Sequence, residues 1–280
     1  MKLLNPVLPP NTIKADRLKA IVLDWAGTAV DFGSLAPART MQKLFGQREI
    51  ELSAAEARQH MGIAKKEHIR GILNIERVSN AWKQLHGKAP GDAEVDAIYA
   101  EFIPMQFSCL LEYADVIPGV VEAVGRFRER GLKIGSTTGY TREMLDMLLE
   151  PCARQGYSPD CSLTPGEVGS GRPHPFMMYE CAIRLQVYPM SAIVKVGDTP
   201  ADVLEGLNAG CWSVGVAGTG NSIGLSLAEF NALSAEAKEA ALTAARAELK
   251  AAGAHSVIDS VAELDPVLDA IDELLKAGKE

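Results

Sequence analysis

Two strand signals early in this chain are separated by a long stretch that carries none. Within Lys19–Asp24, Ile21-Val22-Leu23 is a contiguous apolar run, the pattern of a buried strand. The next such pattern is Leu132–Thr137. From Ser34 to about Leu110 the periodicity is helical instead. Ser53-Ala54-Ala55-Glu56 is a capping-box signature, Gly62 is placed to interrupt the helix that follows, and Pro90-Gly91 marks a turn before a helix over Asp92–Phe107. After this block strands and helices alternate. An amphipathic helix over Pro118–Arg130 is stopped by Gly131, and strand Leu132–Thr137 leads through Gly139 into a helix over Thr141–Leu149. A helix over Phe176–Leu185, strand Ile193–Asp198, helix Ala201–Ala209 and strand Trp212–Val216 follow. Leu225–Ala252 is Ala- and Glu-rich and reads as helical, and Val257-Ile258 as a short edge strand. The alternation predicts an α/β fold with a doubly wound, parallel, Rossmann-like sheet. The strandless block predicts an all-helical cap inserted into it, with the core over 1–33 and 111–280 and the cap over 34–110.

Composition narrows the function classes. Hydrophobic residues make up 47% and charged residues 23%, as in a globular chain with a sizeable core. A net charge of -8 disfavours nucleic acid or an anionic membrane surface as partner, so an anionic substrate must meet a local positive site. No apolar run is long enough to span a bilayer, and Met1–Asn11 lacks the apolar core of a leader. Cys109, Cys152, Cys161, Cys181 and Cys211 are scattered and odd in number, which suits a reducing cytoplasm rather than a disulfide framework or a zinc site.

The ends of the expected strands carry the chemistry. Asp24, Thr137-Thr138-Gly139, and Asp198 with Asp202 all fall at strand C-termini, which a parallel sheet gathers on one edge. Facing carboxylates repel unless a hard cation sits between them, and Mg²⁺ held by one or two carboxylates plus substrate phosphate is the usual arrangement. Threonines and the amides at a helix N-terminus suit phosphoryl oxygens. Taken singly, each of these residues reads as a turn or cap; their order and spacing carry the signal.

That ordered set resembles the haloacid dehalogenase superfamily over nearly the whole chain. The resemblance implies that Asp24 is the nucleophile on phosphorus. It implies Mg²⁺ held by Asp24, the backbone carbonyl of Ala26 and Asp198, with Asp202 supporting, and a phosphoryl group contacted by Thr138 and Gly139. Two departures matter. Ala26 stands where the superfamily's phosphatases have a second aspartate, the acid that protonates an oxygen leaving group. Arg172, in Gly171-Arg172-Pro173, stands where they place a lysine, and its fork can grip two oxygens.

The cap supplies Met61-Gly62-Ile63-Ala64-Lys65-Lys66-Glu67-His68. On a helix starting at Ala64, Lys65 and His68 share a face at i, i+3 while Lys66 points away by about 100°. A lysine beside a histidine can act as a nucleophilic amine where burial or nearby cations lower its pKa. With Asp24-Trp25-Ala26-Gly27-Thr28, Thr137-Thr138-Gly139-Tyr140, Gly171-Arg172-Pro173 and Gly197-Asp198-Thr199, this stretch is similar to the phosphonatase family, the phosphonoacetaldehyde hydrolases. The resemblance implies cleavage of the P–C bond of phosphonoacetaldehyde to acetaldehyde and phosphate, a Schiff base on Lys65, and proton shuttling by His68. It further implies a pocket lined by Met61 and Tyr140, and a homodimer joined through the caps. Lys66, Arg172 and bound Mg²⁺ each offer a way to favour the neutral amine of Lys65. Two alternatives are a phosphomonoester phosphatase of the same superfamily and a non-catalytic phosphate-binding dimer.

Overall fold

The computed structural model describes residues 14–278, so the reading of Met1–Asn11 lies outside the described residues. Six strands form one sheet: β1 (Ala20–Leu23), β2 (Lys133–Thr137), β3 (Cys161–Leu163), β4 (Ile193–Gly197), β5 (Trp212–Val216) and β6 (Ser256–Ile258). Their order is β3-β2-β1-β4-β5-β6, and every pairing is parallel. All four residues of β1 are buried, which is why its sequence is a solid apolar run rather than an alternation. The sequence reading did not anticipate β3. It is three residues long, two of them only partly buried, and such a segment has no period to detect.

Between β1 and β2 the chain forms α1 (Leu35–Gly46), α2 (Ala54–Arg58), α3 (Lys65–Asn74), α4 (Glu76–His86) and α5 (Asp92–Cys109), with no strand among them. This is the helical cap. Its interior is shared: Met41, Leu44 and Phe45 of α1, Ile69 and Ile72 of α3, Val78 and Trp82 of α4, and Val95, Ile98 and Phe102 of α5 are all buried. Each such side chain contributes roughly 2 kcal/mol by burial. The Ser53 capping box is formed, with Glu56 N–H donating to Ser53 Oγ at 3.2 Å and Ser53 N–H to Glu56 Oε2 at 2.9 Å. Gly62 does interrupt the helical run, at φ +89°, and its position has a second reason. A Cβ there would lie 2.2 Å from Thr199 Oγ1 of the core, so the cap backbone touches the core at this point.

The core helices are α6 (Val120–Glu129), α7 (Arg142–Arg154), α8 (Pro165–Val168), α9 (Phe176–Leu185), α10 (Pro200–Ala209), α11 (Leu227–Ala232), α12 (Ala235–Ala251) and α13 (Asp265–Lys276). Right-handed crossovers put α6 and α7 on one face of the sheet and α9, α10 and α12 on the other, because the strand order reverses direction at β1/β4. The stretch Leu225–Ala252 is helical as expected, in two pieces. Leu233 leaves α11 in an extended conformation, and the Ser234 side chain accepts from Ala237 N–H to start α12. A serine that can cap competes with the continuation of a helix, and that local choice outweighs the Ala-rich composition.

Candidate active site

The reversal between β1 and β4 opens a crevice at the carboxyl edge of the sheet, the place where such folds bind ligands. Asp24 leaves β1 with its N–H on Val196 O at 2.9 Å, so β4 fixes its backbone. Asp198 leaves β4, where its Oδ1 accepts from Thr28 Oγ1 at 3.1 Å and its Oδ2 from Asn221 N–H at 2.7 Å. One oxygen each of Asp24, Asp198 and Asp202 lie within 4.8 Å of one another, and all three residues are buried.

These three carboxylates are not equivalent. Burial pushes Asp198 well above the usual carboxylate range, and the charges of Asp24 and Asp202 push it further. Burial also raises Asp24, against the pull of Arg172. For Asp202, burial is outweighed by Arg172 and Lys195, and it sits below its ordinary value. Its Oδ2 accepts from Thr199 Oγ1 at 2.6 Å, while Oδ1 lies 2.9 Å from Arg172 Nη1 and 3.0 Å from Lys195 Nζ. Asp202 is therefore met by two cations and Asp24 by the Arg172 guanidinium, whereas Asp198 has no cationic partner within salt-bridge reach among the described residues. The hard, all-oxygen donor set fits Mg²⁺ better than a softer metal.

A small chamber of about 20 Å³, room for roughly one water, lies above this edge. Asp24, Ala26, Met61, Lys65, Thr138, Gly139, Tyr140 and Arg172 all line it, joining cap and core candidates in one space. Thr199 of the Gly197-Asp198-Thr199 motif also lines it, as do Ser34 and Pro37, which had not been singled out from the sequence. Asp24 is the only carboxylate among the described residues lining the chamber. His68, Asp198 and Asp202 stand behind this first layer.

Lys65 begins α3, preceded by Ala64 at φ -55° and ψ 136°. Its ammonium is 3.9 Å from Met61 Sδ and 5.2 Å from the Tyr140 ring centroid. Burial brings its pKa down to about 8; Asp24 opposes that shift and Arg172 assists it. Lys66, one of the activators considered above, points outward and pairs with Asp96 at 2.5 Å. His68 is fully buried one turn along α3. Its Nε2–H donates to Ala57 O at 2.9 Å, which leaves the lone pair on Nδ1, and Nδ1 has no partner among the described residues. Burial and then the Lys65 charge lower His68 to about 3, so it is a neutral imidazole with one open acceptor.

Arg172 is saturated. Its Nη2 donates to Asp24 Oδ1 at 2.7 Å, Thr137 O at 2.7 Å and Thr137 Oγ1 at 2.8 Å. Nη1 reaches Gly62 O of the cap at 3.2 Å, and Nε reaches Glu205 Oε2 at 3.0 Å. Lys195 and Glu205 are both completely buried and were missed from sequence, although a lysine inside the apolar run Ile193-Val194-Lys195-Val196 was a visible signal.

The cap is tied to this edge by Arg58, at the end of α2. Its Nη1 donates to Gly33 O at 2.8 Å and Ser34 O at 3.2 Å, on the chain crossing from core to cap. The same nitrogen donates to Asn221 O and Asn221 Oδ1, both at 3.1 Å. Asn221 is the residue whose N–H holds Asp198.

Comparison with known proteins agrees with this geometry. A family model described as haloacid dehalogenase-like hydrolase matches residues 18–210. The phosphonoacetaldehyde hydrolase of Nitratidesulfovibrio vulgaris is 44% identical over 261 residues, 93% of each chain. A bifunctional phosphonoacetaldehyde hydrolase/aminoethylphosphonate transaminase of Clostridioides difficile is 46% identical over 260 residues, which are 93% of this chain and 41% of that longer protein. A crystal structure of a phosphonoacetaldehyde hydrolase-like protein from Oleispira antarctica superposes with a TM-score of 0.94 at 38% identity, covering 98% of this chain and 99% of that one. With catalytic-edge geometry, family model and relatives all in accord, the chain belongs to the haloacid dehalogenase-like hydrolases and, within them, to the phosphonoacetaldehyde hydrolase family.

Proposed function

We propose that this enzyme hydrolyses the P–C bond of phosphonoacetaldehyde to acetaldehyde and phosphate, with an imine on Lys65 and phosphoryl transfer to Asp24. One observation carries the reading: a buried amine with a pKa of about 8 shares a small cavity with a strand-end aspartate, and no second carboxylate among the described residues lines it. A phosphatase needs an acid for its oxygen leaving group. A carbon leaving group needs an electron sink, and the amine can form one.

Neutral Lys65 attacks the aldehyde, water leaves, and the protonated imine withdraws electrons from the adjacent C–P bond. Asp24 attacks phosphorus, and the departing pair becomes an enamine. Water hydrolyses the aspartyl phosphate; the enamine is protonated at carbon, then hydrolysed, freeing acetaldehyde and Lys65. His68 is neutral at neutral pH, with its one proton on Nε2, so its part is to take a second transiently on Nδ1 as the amine adds. Arg172 sets a fixed positive charge beside the phosphoryl oxygens, and the Thr138 hydroxyl, Gly139 and Tyr140 close the wall around them. Mg²⁺ held by Asp24, Asp198 and the Ala26 carbonyl would neutralise carboxylate and phosphoryl charge, with Asp202 supporting through Arg172 and Lys195. The boundaries we assign are 34–110 for the cap and the remainder for the core. A product assay for acetaldehyde and phosphate in equal amounts tests the reaction; phosphate release from an aryl phosphate without P–C cleavage would replace it with the phosphatase reading.

The buried Asp24–Asp198 pair, in which Asp198 has no cationic partner among the described residues, gives a metal prediction. Exhaustive chelation should silence the enzyme, and Mg²⁺ should restore activity and raise the melting temperature, since the ion binds a site absent from the unfolded chain. Full activity in chelated protein would contradict the cation role.

We also propose a homodimer through the caps. Ile103, Met105 and Phe107 of α5 are only half-buried, and Leu111 just beyond is 55% exposed, leaving apolar surface on the cap side. No helix among the described residues is long and apolar enough to cross a membrane, and the free thiols suit the cytoplasm. Sedimentation at micromolar concentration should give twice the chain mass; a monomer there counts against the dimer.

A further inference from the structure

Arg172 sits in the turn between α8 and α9, outside any regular element, yet its side chain is fully buried. Nothing in its own backbone dictates which way the guanidinium plane faces. The orientation must come from what its nitrogens touch. Nη2 meets Asp24 on one edge of the fork, and Nε meets Glu205 Oε2 on the other. Glu205 Oε2 also accepts from Thr137 Oγ1 at 2.9 Å and lies 3.2 Å from Lys195 Nζ. Lys195 in turn donates to Thr137 Oγ1 at 2.8 Å. Thr137, Lys195 and Glu205 come from β2, β4 and α10, so three rigid elements meet under one flexible side chain.

We propose that Glu205, braced by Lys195 and Thr137, is a positioning residue for the reaction: it fixes the guanidinium plane of Arg172 so that Nη2 faces Asp24. The inference rests on the P–C hydrolysis reading above. Its electrostatics are consistent with that task. Two cations, Arg172 and Lys195, face three carboxylates, Asp24, Asp202 and Glu205, so the cluster keeps one net negative charge for a cation while Nη2 stays on Asp24. A fold has little other use for such a set. Buried ion clusters carry a desolvation penalty, and replacing one by apolar packing is often neutral or stabilising. Phosphoryl transfer, in contrast, depends almost wholly on placement and charge, and a misplacement of about 1 Å can cost about 100-fold in rate.

The test is a double-mutant cycle on the full chain with Mg²⁺, using Glu205→Gln, Arg172→Lys and the double variant. Glu205→Gln should lower kcat about 100-fold with KM changed less than about 3-fold and the melting temperature close to wild type. Added to Arg172→Lys it should cost less than about 3-fold more, because no guanidinium remains to orient. Equal fold-losses in both backgrounds would overturn the positioning role. Thr137→Val removes the shared hydroxyl at constant volume and should show the same pattern if Glu205→Gln does not fold. Beryllofluoride, a stand-in for the phosphoryl group on Asp24, reads the coupling without turnover. Its affinity by calorimetry should fall at least about 10-fold on Glu205→Gln in the Arg172 protein and stay level in Arg172→Lys. An unchanged affinity in the first pair overturns the proposal. The expected pattern in a wild type that cannot cleave phosphonoacetaldehyde would sustain the positioning role and overturn the reaction.

Discussion

Lys65→Arg should lower acetaldehyde release by at least about 10³-fold in folded protein, while Lys66→Arg should stay within about 2-fold of wild type. Arginine keeps a positive charge but has no amine that can add to an aldehyde. Lys66 is exposed and paired with Asp96, so exchanging it touches only the surface. Borohydride added with substrate should leave a reduced adduct on Lys65, and mass spectrometry that places it elsewhere removes the imine from this residue. The pH profile follows from the same amine. With a pKa of about 8, about one Lys65 in ten is neutral at pH 7, against about one in 3,000 at the ordinary value of 10.5. The rate of imine formation should rise about tenfold per pH unit up to about 8 and then level off. The folded pKa lies below the unfolded one, so between about 8 and 10.5 the native state holds fewer protons, and the Lys65 contribution to stability rises with pH across that window.

Asp24→Asn should reduce turnover by about 10⁴-fold or more without loss of fold. The amide is nearly isosteric and a poor nucleophile. It also withdraws the anionic acceptor that Arg172 Nη2 meets at 2.7 Å, so phosphoryl placement suffers along with the chemistry. The fold should tolerate the change, because burial already makes the charged form of Asp24 costly. Phosphate release measured beside a melting curve decides it: wild-type turnover in a folded Asp24→Asn protein would remove the aspartyl phosphate.

Sequence alone was enough for the sheet wherever strands are buried on both faces, as at Ile21-Val22-Leu23 and Ile193–Val196, because burial there forces a solid apolar run. It also served for pairs within one turn of helix, such as Lys65 and His68. It failed where partners are distant in the chain. Arg172 meets Glu205 33 residues on and Thr137 35 residues back, and no local pattern encodes that meeting. The lysine at position 195 was visible as an oddity, but its purpose depends on β2 and α10 lying beside it. The activation of Lys65 was likewise a matter of depth. Lys66 is its neighbour in sequence yet faces the other way, and burial, the dominant cause, is a property of the closed cap.

Asn221 holds Asp198 by its N–H while its carbonyl and side chain hold Arg58 of the cap. Mechanical attachment of this kind has a thermodynamic counterpart. Any occupant that tightens the Asp198 loop favours the seated position of α2, and seating α2 must strengthen that occupant's hold by the same factor. Were the cap to lift, the Asp198 edge would loosen in the same equilibrium, so a state open to substrate would grip a cation there least.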